Sequence, residues 1–391
     1  MNGLRLLALT PFPPNRSATN GGARVMGELL TRLAERNRVA VLTLRGSEEP
    51  PLDPELARLA DDLDEVGRAP LPEGWPRRAG IASAQARGVP RWPAEWRVPE
   101  LDARLERLAA AWKPNVVHVH YHVMGQYLTA LQRRDAKRIL VEYEAHPAPV
   151  RSPLARRLEE RAWRHYETRL LRSVDAAVAF TDRDAKVLRA LGSSARIEVI
   201  PFGVPLPERP LDPVGADRAV VFVGNFEHRP NVDAALRLAR AVFPRLADAR
   251  LVLVGSRPPE EVRSLANARV EVFGSVEDVT PFLDRASVVA LPLREGGGMR
   301  VKALEALAAG KAVVATRLAV EGLRVADGRH LVLAESDDDL AAAIGALLDS
   351  PERRRALGAA ARRWAEAHAT WDARIEEHEA LCRSLLDEGR R

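Results

Sequence analysis

The chain has 391 residues, a formal net charge of +5 and one cysteine, Cys382. That length exceeds what one compact core serves, so two domains of ordinary size are expected. With 46% apolar and 29% charged residues the composition is globular rather than disordered; no run reaches the ~18 apolar residues of a membrane span, and a lone thiol excludes an intrachain disulfide or a thiolate metal cage.

Of 59 basic residues only five are lysines, at positions 113, 137, 186, 302 and 311. No helix-turn-helix, zinc-finger or aromatic RNA-binding pattern accompanies the arginines, so no nucleic-acid partner is expected. The opening MNGLRLLALTPFPPN has a single Arg before a short apolar run and no small-residue cleavage site. It reads as a first strand rather than a secretory signal, and the expected location is the cytoplasm.

Short apolar runs then alternate with longer amphipathic segments. Residues 4–9, 39–44, 116–121, 138–143, 176–180 and 197–200 read as buried strands. Helical spacing fills 23–36, 99–112, 153–172 and 183–191. The Pro- and Gly-rich stretch 201–217 has no period and reads as a linker. The rhythm restarts with strands at 220–224, 250–254, 270–273, 287–291 and 312–315, and helices at 231–246, 259–266, 299–309 and 337–348. Two βαβ series predict an α/β protein of two doubly wound, Rossmann-like parallel sheets, over 1–200 and 218–370. The tail is nearly all helical pattern, and 371–391 is expected to pack back on the first domain.

The strongest chemical signal is LPLREGGGMRVKALEALAAGKAVVAT, residues 291–316, where a strand meets three glycines and then a helix. Backbone N–H groups at such a helix start form an anion cradle. Gly297, Gly298, Met299, Arg300, Val301 and Lys302 would surround it, Arg300 and Lys302 supplying charge in a first turn that the helix dipole otherwise makes unfavourable for cations. A solvated Gly-rich turn is the plainer reading. Glu305, three positions after Lys302, suits the two hydroxyls of a ribose or simply an i,i+3 ion pair. Thr19–Arg24, TNGGAR, offers a weaker helix start at Gly21 and Gly22, compatible with an ordinary turn.

His118, His120 and His122 alternate, which puts them on one strand face if the strand extends that far; core or cleft histidines are favoured over a metal pair. The acidic runs at 61–64 and 337–339 read as solvated helix ends, so no metal is expected. The basic helical stretch 151–172 is compatible with peripheral contact at an anionic membrane, or with an exposed helix on the first sheet.

On these residues the chain resembles glycosyltransferase family 4, enzymes of the GT-B fold, and within it bacterial polysaccharide-type sugar transferases with a GGGxRxK loop. VVFVGNFEHRPNVDAALRL (220–238), LVLVGSRPP (251–259), the opening loop and helix (10–43), VVHVHYHVMG (116–125) and LVEYEAHP (140–147) carry the likeness. The resemblance implies a nucleoside-diphosphate-sugar donor, no cofactor, a glycan or lipid-linked acceptor, and retention of anomeric configuration. The departing phosphate would then take the acceptor proton. It assigns Glu305 to the ribose and His146 to the sugar, with the glycines at 21 and 22 near the diphosphate or acceptor. The family's first glutamate falls on Gly297, with Glu295 two positions away. Its usual diphosphate cations fall on Asn225 and Pro230, with Arg229 adjacent. These departures leave open a degenerate nucleotide-sugar-binding protein, or a phosphorylase or epimerase of the same architecture.

Overall fold

The computed structural model describes residues 3–18, 20–69, 75–131, 136–143, 153–215, 217–296 and 301–388. The chain forms two compact units, Met1–Pro201 with Ile375–Arg391, and Phe202–Arg374.

The first unit is built on seven strands: β1 (Arg5–Thr10), β2 (Arg38–Gly46), β3 (Asp62–Arg68), β4 (Val116–His120), β5 (Lys137–Glu142), β6 (Ala176–Ala179) and β7 (Arg196–Val199). They run parallel in the order β3-β2-β1-β4-β5-β6-β7. Parallel sheets are covered on both faces, which is why β1 and β4 are near-continuous apolar runs with almost every residue buried. Among the described residues seven helices join them: α1 (Gly21–Arg36), α2 (Pro54–Leu59), α3 (Trp75–Ala86), α4 (Arg91–Glu95), α5 (Pro99–Trp112), α6 (Pro153–Leu171) and α7 (Asp182–Ala190). The apolar stripe of α5, Leu101, Leu105, Leu108 and Trp112, packs into the same core as Leu7, Leu9, Leu42 and Val117.

The second unit repeats the plan with β8 (Ala219–Val223), β9 (Arg250–Val254), β10 (Val270–Phe273), β11 (Val288–Leu291), β12 (Val313–Ala315) and β13 (Val332–Leu333), in the order β10-β9-β8-β11-β12-β13. Its helices are α8 (Arg229–Arg237), α9 (Glu260–Arg263), α10 (Thr280–Arg285), α11 (Val301–Ala308), α12 (Asp337–Leu348) and α13 (Pro351–His368). In each sheet the strand order reverses beside the first strand, and a crevice opens at the carboxyl ends there. Those ends are β1/β4 in one unit and β8/β11 in the other.

Three differences from the sequence reading have local causes. Residues 62–68 form the edge strand β3, not a helix end. Its charges are tolerated because one side is unpaired, Asp61 meeting Arg38 at 3.0 Å and Asp64 meeting Arg104 at 3.2 Å. The helix expected over 231–246 is α-helical only to Arg237, opens into a π turn (Leu238–Val242) and closes in a 3-10 turn (Phe243–Arg245); Pro244 lacks the N–H that would continue it. The strand through the three histidines ends at His120. Tyr121 then adopts a left-handed φ of 64° and His122 opens a 3-10 stretch (His122–Leu131), so only His118 and His120 share a strand face and His122 leaves it. The acidic run at 337–339 is the helix end that the sequence predicts, with Ser336 and Asp339 forming a reciprocal capping box.

The tail splits at Ala369–Thr370 into α13 and α14 (Trp371–Glu388). From Ile375 onward α14 is part of the first unit, with Glu379 accepting from Asn37 at 2.7 Å and Ser384 accepting from Arg196 at 2.8 Å.

Candidate functional site

In the second unit, β8 delivers its chain end to the switch point. Gly224 and Gly255 lie with their backbones in contact: a Cβ on Gly255 would fall 1.6 Å from the Gly224 oxygen. Only glycine permits that approach. The next residue, Asn225, folds its side chain over the turn and accepts from the Glu227 N–H at 2.9 Å. Asn231, in the first turn of α8, donates to the Asn225 carbonyl at 2.6 Å and accepts from Lys302 Nζ at 2.5 Å. The Lys302 ammonium also sits 4.7 Å from the centre of the Phe222 ring. A Cβ on Gly224 would come within 2.9 Å of it. A half-buried cation is thus fixed at the carboxyl end of β8 by the turn that follows that strand. Glu305 stands almost one helical turn further along α11, also half-buried, and Val301 begins that helix.

The structure therefore brings Asn225, Lys302 and the first two turns of α11 to one place. Arg229 is engaged elsewhere: its guanidinium pairs with Glu261 at 2.5 Å on the surface. Gly297, Gly298, Met299 and Arg300, together with His146, lie outside the described residues. Asn231 is the residue that sequence reading missed. Its signal was an Asn immediately after the Pro at the start of a helix.

In the first unit the carboxyl ends of β1, β4 and β5 carry an aromatic cluster. Tyr121 stacks on Tyr143 at 4.2 Å, and Phe12 and Trp92 meet Tyr121 edge-on at 5.5 and 5.8 Å. Gly22 packs against the Tyr121 hydroxyl, which a Cβ there would approach to 2.0 Å. The exposed Gly21 begins α1, but the Gly22 N–H is already donated to its N-cap, Asn20 Oδ1, at 2.8 Å. An anion at this helix start must compete with that cap.

The histidines are committed to separate partners. His118 Nε2 meets Cys382 Sγ at 3.5 Å, His120 Nδ1 meets the Tyr143 hydroxyl at 3.0 Å, and His122 Nδ1 meets Glu142 at 3.0 Å. Complete burial holds His118 well below the ordinary histidine range and His120 at about 3, so both rings are neutral at physiological pH. Burial, with Glu142 nearby, pushes Glu167 up to about 7 against the opposing pull of His122. Among the described residues no group of three His, Cys, Asp or Glu side chains is arranged to hold a metal ion, and no helix is long and apolar enough to cross a membrane.

Two parallel sheets of this topology, the second with a lysine and a carboxylate at its switch point, define a Rossmann-like architecture. Residues 19–207 match the family model described as Glycosyltransferase Family 4, and residues 217–350 the model described as Glycosyl transferases group 1. The chain belongs to this glycosyltransferase family and has its GT-B fold.

Among curated relatives, it is 31% identical over 209 residues to a GDP-mannose-dependent monoacylated alpha-(1-6)-phosphatidylinositol monomannoside mannosyltransferase of Corynebacterium glutamicum, covering 47% of this chain and 55% of that one. The chain thus spans about half the length of that relative, and 56% of a Mycolicibacterium smegmatis mannosyltransferase. A GDP-mannose-dependent alpha-(1-6)-phosphatidylinositol monomannoside mannosyltransferase of Mycobacterium tuberculosis aligns over 94% of each chain at 26% identity. Among solved structures, sucrose-phosphate synthase from Thermosynechococcus elongatus superposes with a TM-score of 0.73 at 20% identity, covering 98% of this chain and 100% of that one. Anabaena HepE in complex with UDP gives 0.70 at 12%, covering 97% and 100%.

Proposed function

We propose that this protein transfers a sugar from a nucleoside diphosphate sugar to an acceptor hydroxyl, with retention and without a metal. The observation that supports it most is the fixed ammonium of Lys302 at the β8 switch point, with Glu305 beside it on α11. Cleaving the sugar–phosphate bond accumulates negative charge on the leaving diphosphate. A preorganised cation there stabilises that charge, and Asn231 removes the reorganisation that a free lysine would require. Glu305 is the acceptor for the ribose hydroxyls, and Arg300 and the backbone of 297–301 complete the cradle in this reading. The departing phosphate takes the acceptor proton, so no separate base is needed. His146 stabilises the charge developing at the sugar.

The activities of these relatives point the donor search to GDP-mannose first and the acceptor search to inositol-bearing lipids and glycans. We place such a protein in the cytoplasm, working peripherally at the inner face of a membrane. The test is turnover of GDP-mannose and UDP-sugars with soluble inositol acceptors, in EDTA, with the product anomer assigned by NMR. Lys302→Ala should lower kcat/KM by about 10²- to 10³-fold, the scale of one lost transition-state donor, without unfolding the protein. Glu305→Ala should mainly raise the donor KM. Nucleotide binding without turnover of any donor would favour the degenerate reading that the glycine at 297 raises. Free sugar phosphate or an isomerised donor would mark a phosphorylase or epimerase.

A further inference from the structure

The first unit contains a cavity of about 800 Å³ between α3, α4, the 3-10 stretch and α6. Arg138 near the start of β5 and Ser173 just before β6 line it. It therefore lies toward the amino ends of those strands, whereas the Tyr121 cluster lies at the carboxyl ends. The proposed transfer chemistry makes no use of it.

Its apolar wall is formed by Ile81, Ala84, Leu128 and Leu170. Among the described residues the lining also includes five arginines, Arg87, Arg97, Arg138, Arg169 and Arg172, against one acidic residue, Glu95. Glu95 is paired with Arg91 at 2.9 Å and Arg97 is paired with Asp102. Arg138 donates to the carbonyl of Leu131 at 2.6 Å. That leaves Arg87, Arg169 and Arg172, all exposed. Among the described residues none of the three forms an ion pair, and Arg87 meets only the Ser83 hydroxyl at 2.6 Å. Uncompensated like charges around an apolar hollow repel one another unless an anion joins them. The same helix, α6, carries Leu158 at 52% exposure among the exposed Arg157, Arg161 and Arg164. The surface beside the cavity is therefore basic with an apolar tip, as suits an anionic bilayer.

We propose that this cavity binds a single anionic lipid. Its phosphate or phosphodiester head lies on Arg87, Arg169 and Arg172, and the start of its hydrocarbon chain lies against Ile81, Leu128 and Leu170. The volume is within the range of small-molecule sites. Inorganic phosphate would leave the apolar wall unused, and a neutral lipid would leave the guanidinium groups unused.

The probe is dodecyl phosphate below its critical micelle concentration, titrated calorimetrically into the whole protein without nucleotide. Inorganic phosphate and dodecyl maltoside serve as the head-only and tail-only comparisons. Wild type should bind dodecyl phosphate at least a hundredfold more tightly than inorganic phosphate, with affinity falling as salt rises. Arg87→Ala/Arg169→Ala and the cavity-narrowing Thr129→Trp should each weaken it at least tenfold; all three positions are exposed, so the fold is retained. Lys302→Ala should bind it as wild type does, which separates this site from the donor site. Absence of binding, equal binding of inorganic phosphate or of dodecyl maltoside, or indifference to both variants would overturn the proposal.

Discussion

Tyr121 is tightly constrained at the first unit's switch point. A left-handed φ of 64° is unfavourable for a bulky residue, yet it turns the ring onto Tyr143 and sets its hydroxyl against Gly22. Gly22→Ala should destabilise the protein by about 1–3 kcal/mol in urea unfolding, the scale of an overpacked contact. Tyr121→Phe in the same chain should recover most of that loss, because the nearest remaining ring carbon would then be 3.1 Å away. A double-mutant cycle reads the coupling, and an additive result would refute the contact. Glu167 is the other residue with a measurable signature. Burial lifts its carboxyl from 4.5 to about 7, so the folded chain holds this proton more tightly than the unfolded one. Its contribution is whole below about pH 4.5 and is lost as pH rises through 7, on the order of 3 kcal/mol in all. His120 acts with the opposite sign, losing stability as pH falls from 6.5 toward 3. The difference between wild type and Glu167→Gln isolates the carboxyl: the variant should gain relative stability between pH 5 and pH 8. A flat difference across that range would be inconsistent with the shift.

At the scale of elements, α14 closes the first unit. It buries Ile375, Leu381, Cys382 and Leu385, and its Cys382 lies against His118 under the sheet. Burial, with Glu379 nearby, pushes the Cys382 thiol up to about 12. As this is the sole cysteine, thiol labelling reads one event. A thiol reagent at pH 8 should react at a rate set by opening of α14, orders of magnitude below a free thiol, and become fast in denaturant. Prompt labelling of the native protein would mean that α14 is not docked in solution.

At the scale of the molecule, Lys302, Asn231, Asn225 and Glu305 all belong to the second unit. A fragment of residues 202–374 should fold and show the same thermal stabilisation by the donor's nucleoside diphosphate as the whole chain. At a hundredfold excess over Kd that amounts to roughly 2.7 kcal/mol. Residues 1–201 alone, lacking α14, should be markedly less stable than the same residues joined to 375–391. Loss of nucleotide binding in the second-unit fragment would show that the first unit is needed to hold the donor.

Much of this organisation was legible in residue order, because it depends on short-range covalent periodicity. Buried parallel strands such as β4, β9 and β12 must be continuous apolar runs, and α5 and α12 announce themselves by spacing and first-turn acids. The edge strand β3 was illegible because its stability comes from one neighbour and from Arg38 and Arg104, distant in the chain. The lysine at 302 and the glutamate at 305 were visible as residue types at a helix start. What holds that lysine was not: Asn231 reaches it across 71 positions and also ties down Asn225. Nor did the alternation of three histidines reveal that Tyr121 would turn the chain out of the strand and give each ring a different partner. Residue order alone carries the two doubly wound sheets, the family and the kind of side chain at the second switch point. Which of those side chains meet is set by the folded chain, because a hydrogen bond is made over about 3 Å and the residues that share one here lie tens to hundreds of positions apart.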